Sequence, residues 1–160
     1  MLISETRKFD ENHFYCDYEQ LSWRDQTLRH IGEHITKAGM KLVDYEEGSV
    51  QSSSVITKQV IPDLALYRTQ IINLLEFDPK EIDWDAHGGD EDDLAQSILW
   101  AAGMINRYIE PSEHSTEARH ENITINDLTA VPVRLHFVAL ILADQHDVDL
   151  VTAQRIRMER

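Results

Sequence analysis

The chain has 160 residues, 42% of them apolar, which is enough to build the core of one domain or of two small halves sharing a core. Its 29 acidic residues against 15 basic ones give a formal net charge of -14, which works against direct contact with nucleic-acid backbones and anionic membranes. One cysteine, Cys16, rules out an intrachain disulfide. The start "MLISETRKFDENHF" lacks the basic end and apolar centre of a signal peptide. No apolar run approaches the roughly 18 to 20 residues that a membrane span needs. A cytoplasmic protein that folds alone or as a small oligomer such as a homodimer is expected.

Residues 1–20 show no sustained period and read as an arm. From Ser22, an N-cap residue, to about Glu46, Leu28, Ile31, Ile35, Ala38, Met40 and Leu42 recur mostly at three- and four-residue steps, which predicts a helix with one buried face. Gly48 and "GSVQSSS" end it. A second helical pattern starts near Thr57, carries Pro62 in its first turns, and runs through "DLALYRTQIINLLEF". "DPKEIDWDAHGGDEDD" is a break, after which Asp90 or Asp92 is expected to cap a third helix that stops at Pro111. A fourth helix is predicted from about Asn126 to Gln145. A short C-terminal helix places Arg155, Arg157 and Arg160 at the negative end of its dipole.

The segments repeat. "KAGMKLVDYEE" lies beside "AAGMINRYIEP" at an offset of 64, and "DLALYRTQIINLLEFD" beside "RLHFVALILADQHDVD" at an offset of 71. The expected fold is all-α: a four-helix bundle from two duplicated helical hairpins plus a short C-terminal helix. Within a single domain over 1–160, the arm covers 1–21, the first hairpin 22–78, an acidic linker 79–92, and the second hairpin with the C-terminal helix 93–160.

"RLHFVALILADQHDVDLVTAQRIRMER" and "DLALYRTQIINLLEFDPKEI" resemble the all-α nucleoside triphosphate pyrophosphohydrolases, the MazG-like proteins, over about half of the chain. In that family an E-x-x-E pair and an E-x-x-D pair hold Mg²⁺, which bridges a triphosphate and helps water to cleave it. Mg²⁺ favours such hard oxygen ligands, and i, i+3 spacing sets each pair on one helix face. The resemblance places the first pair on His30 and Glu33 of "HIGE" and the second on Val60 and Asp63 of "VIPD". The equivalent slots of the second half fall on Leu94 and Ser97, then Val131 and Arg134. It implies Glu33 and Asp63 as catalytic residues and metal ligands with His30 beside them, Mg²⁺ or Mn²⁺ as cofactor, and a nucleoside triphosphate as substrate. Asp90, Glu91, Asp92 and Asp93 are further candidate ligands.

"LRHIGEHITKAG" also carries His30, Glu33 and His34 as H-x-x-E-H, the order of the inverted zinc-peptidase motif, with both histidines one turn apart. Those enzymes need a distant acidic ligand and a larger fold; the same spacing also reads as a transition-metal site of His30 and His34 with a carboxylate such as Glu33 or Asp63, or as ordinary helix residues with His34 or Glu33 paired to Lys37 or Arg29 at the surface. Trp100, inside "ILWAAGM", is expected in the core, and Trp84, between Asp83 and Asp85, in an exposed contact. Gly88-Gly89 is no phosphate loop, because no lysine follows it. Cys16 has no basic neighbour to activate it and reads as structural. The missing ligands and the net charge together support a second reading: a non-catalytic acidic helical protein that binds a basic macromolecular partner.

Overall fold

The computed structural model describes residues 22–49, 52–113 and 123–159. Among these residues the fold is all-α, with five α-helices and no strand. The arm over 1–21, Cys16 and Arg160 lie outside the described residues.

Helix α1, Trp23–Glu46, starts where Ser22 Oγ accepts the Asp25 N–H at 3.1 Å. Its stripe of Leu28, Ile31, Ile35, Ala38 and Leu42 is buried as the spacing predicts, whereas Met40 is exposed. Helix α2, Ile61–Leu74, follows a π turn over Ile56–Val60 in which the Ile61 N–H reaches back five residues to the Ile56 carbonyl. The wider turn falls just before Pro62, whose missing N–H would interrupt an α ladder. Helix α3, Leu94–Glu113, is capped by Asp93, whose Oδ1 accepts the Gln96 N–H at 2.9 Å, and not by Asp90 or Asp92. It runs past Pro111, where the sequence pattern ends it.

Helix α4, Ala130–Gln145, is led in by a 3₁₀ turn over Ile125–Thr129, where Asp127 accepts from both the backbone N–H and the hydroxyl of Thr124. Helix α5, Leu150–Met158, starts at Asp149, whose Oδ1 accepts the Thr152 N–H at 2.7 Å. The segment Ile125–Gln145 is long and apolar enough to cross a membrane by length and composition, contrary to the sequence expectation. Its apolar residues spread round the helix because several elements cover it, and Val131, Leu135, Val138 and Leu142 belong to the protein core.

α1 packs along α3, α2 along α4, and α4 also meets α3, while α5 closes against α2. One core joins all five helices, from Leu28 on α1 to Ala153 on α5. Each fully buried Leu or Ile in it contributes about 1.5–3 kcal/mol. α1 and α3 come close because Gly39 carries no Cβ: one placed there would lie 3.0 Å from Leu99 Cδ2.

α2 and α4 end alike. After α2 the Phe77 N–H donates to the Ile72 carbonyl at 3.0 Å, with Glu76 between them at a φ of 57°. After α4 the Val148 N–H donates to the Ala143 carbonyl at 2.8 Å, with Asp147 at a φ of 52°. Both ends are Schellman motifs, and each residue of one stands 71 positions before its counterpart in the other. Beyond them the paths diverge: Asp149 caps α5, whereas Asp78 turns the chain into the acidic loop, its Oδ1 accepting the Lys80 N–H.

Candidate functional site

His30, Glu33 and His34 leave α1, Asp63 and Tyr67 leave α2, and Arg157 arrives from α5. The Nε2 atoms of His30 and His34 face each other at 3.1 Å, with the rings edge to face and their centroids 4.5 Å apart. His34 is half-buried and tilts against Tyr67 at 5.7 Å between ring centroids, while His30 is exposed. Burial lowers the His34 pKa first and His30 and Lys37 lower it further, against weaker upward pulls from Asp63 and Glu33.

Glu33 is exposed and pairs with Arg29, 3.7 Å away on the same helix. Asp63 is buried, 8% exposed, and its Oδ1 accepts from Arg157 Nε at 2.5 Å. That hydrogen bond, and then the carboxylate charge, raise the Arg157 pKa. Tyr67 shares the contact: burial and then Asp63 raise its phenol pKa, and Arg157 moderates the rise. Both acids that the family resemblance retains therefore already have arginine partners. Among the described residues no three or more His, Cys, Asp or Glu side chains gather in a group that could hold a metal. Mg²⁺ favours several hard oxygens, and these two engaged carboxylates do not fit the cluster that the resemblance implies.

The second set of slots is structural. Leu94, Ser97 and Val131 are buried. Arg134 donates from Nε to the His87 carbonyl at 2.5 Å and lays its guanidinium over Trp100, 4.2 Å from the ring centre. That contact fixes the loop over residues 76–93. Along it Glu76, Asp78, Glu81, Asp83, Asp85, Asp90, Glu91, Asp92 and Asp93 are all exposed, with Lys80 the sole Lys or Arg among them.

Apolar contacts secure the loop from below. Ile82 is buried against Ile72 and Val133. His87 stacks on Phe137 at 3.8 Å between ring centroids, nearly parallel. Gly88 turns with a φ of 59°, and a Cβ on Gly89 would come within 2.5 Å of the Phe137 ring. Trp84, expected in an exposed contact, is half-buried instead, because its Nε1–H donates to the Pro79 carbonyl at 3.1 Å and its ring meets His136 edge to face. Trp100 is half-buried against the core.

Behind Trp84, Arg68 lies 2.6 Å from His136 Nδ1 and reaches Gln154 Oε1 at 3.4 Å, while Gln154 Nε2 donates to Thr69 Oγ1 at 2.9 Å. An arginine can only donate, so the geometry assigns the His136 Nδ1 lone pair as acceptor. Burial, and then Arg68, lower the His136 pKa.

No protein-family model, curated protein or solved structure matches the chain. The fold class is all-α. Sequence reading missed Arg157 and Arg134 as anchors; the signal available for the first was a carboxylate, Asp63, on the apolar face of a helix, where it needs a cation.

Proposed function

We propose that this chain is a catalytically decayed MazG-like protein that works by binding a basic macromolecular partner. The observation that carries the non-catalytic part is the Asp63–Arg157 contact: a cation of the protein itself sits on the acid that a metal-dependent hydrolase would leave open. The net charge of -14 and the secured array of nine exposed acids support a basic protein as the partner class. A cytoplasmic setting and a four-helix bundle of two duplicated hairpins belong to the same reading. The matching Schellman ends 71 residues apart, and the pairing of α1 with α3 and of α2 with α4, support the duplication.

Two measurements test the proposal. In the first, the protein is incubated with each common NTP and dNTP plus Mg²⁺ or Mn²⁺, and no pyrophosphate is expected. Pyrophosphate release that Asp63→Asn abolishes overturns the decayed reading. In the second, titration with poly-lysine is expected to show binding that weakens with added salt and with amides at Asp90, Glu91, Asp92 and Asp93. Equal binding by that variant overturns the role of the loop.

A further inference from the structure

We propose that His30 and His34 form a two-nitrogen clip for a divalent transition metal of the zinc, nickel and copper class. The site is independent of nucleotide hydrolysis and of the acidic loop. Residues four apart on a helix are neighbours on one face, but most such pairs do not converge. Here both Nε2 atoms meet at 3.1 Å. With metal–nitrogen bonds of about 2.0–2.1 Å, that 3.1 Å separation corresponds to an angle of about 98° at a shared ion, close to tetrahedral or square-planar geometry.

Two features suit an ion there. His34 is held by the helix backbone and by the Tyr67 ring beside it, which limits the freedom lost on binding. His30 is exposed, so the side facing solvent can take the waters that complete the coordination shell. The charges around His34 do not drive binding: Lys37 acts on it more strongly than Asp63 or Glu33, and Arg157 offsets Asp63, so the clip rests on the two ring nitrogens. Without metal, one Nε2–H donates to the other ring; with metal, that proton moves to Nδ1 and the two rings turn so that both lone pairs meet at the ion. Two imidazoles discriminate against Mg²⁺, which favours oxygen donors.

Calorimetric titration of the untagged full chain with Zn²⁺, Ni²⁺, Cu²⁺ and Mg²⁺ tests the clip. One equivalent of each of the first three is expected to bind, and Mg²⁺ to show no one-equivalent site that depends on His30 and His34. His30→Ala, at an exposed position, and His34→Gln, which retains a polar side chain at the half-buried one, are each expected to weaken binding at least tenfold. The Cu²⁺ form is expected to give an electron paramagnetic resonance spectrum with two equivalent nitrogens. No one-equivalent site for any of the three metals, or a site that survives either substitution, overturns the proposal.

Discussion

The Nε of Arg157 donates to Oδ1 of Asp63 across 94 positions of sequence, tying α5 to the start of α2 at a carboxylate that is 8% exposed. Replacing Arg157 with Met leaves that carboxylate without its cation in a largely dry place. A loss of about 1–3 kcal/mol is expected, below the full cost of breaking a buried pair because the Arg157 side chain is one-third exposed. Urea unfolding measures it. Asp63→Asn added to Arg157→Met is expected to restore part of the loss, since the two sites are coupled.

Glu76 and Asp147 adopt a left-handed backbone that costs an L side chain energy and glycine almost none. Glu76→Gly and Asp147→Gly are each expected to stabilise the protein, by up to about 1 kcal/mol. Thermal unfolding of each variant checks the sign. Destabilisation at both positions would mean that the side chains do more than the backbone pattern shows.

Gly89 is expected not to tolerate alanine. The added Cβ would meet the Phe137 ring at 2.5 Å and disturb the His87 stack, with an expected cost of about 1–3 kcal/mol. In a Phe137→Ala background the same change should cost much less. A double-mutant cycle followed by thermal unfolding tests that coupling.

Stability is expected to fall as pH drops from about 7.5 to 5.5. The pKa values of His34 and His136 are lowered in the fold, chiefly by burial, so the unfolded chain takes up protons first. Their contribution is complete above the ordinary value of 6.5 and is lost as pH falls through the lower folded values. Glu46, whose carboxyl pKa is raised by burial and then by Asp93, pulls the other way at more acidic pH. Urea midpoints across this range measure the slope, and His136→Gln is expected to flatten it.

The local features of the fold were legible because they are written in neighbouring residues. Ser22 and the stripe from Leu28 to Leu42 place α1, and an apolar period places α4. The choice among Asp90, Asp92 and Asp93 as the α3 cap depends on one hydrogen bond, which adjacent acids make ambiguous in sequence. The site was harder to read. His30 and His34 were found by spacing, and Glu33 with Arg29 by the i, i+4 rule. Arg157 meeting Asp63, and Arg134 seizing the His87 carbonyl, are contacts between distant segments that no local period encodes. Trp84 sits between two acids in sequence and yet packs beneath the loop, because the Pro79 carbonyl accepts its N–H.

The loop over residues 76–93 carries its nine acids on a backbone held at several points. Because Ile82, His87 and Arg134 hold its backbone, the nine carboxylates cannot spread apart to relieve their mutual repulsion. Such an array gathers a cloud of small cations from solution. Any basic surface that settles on it sets those ions free, so its gain comes largely as the entropy of released salt and shrinks as the bulk salt concentration rises.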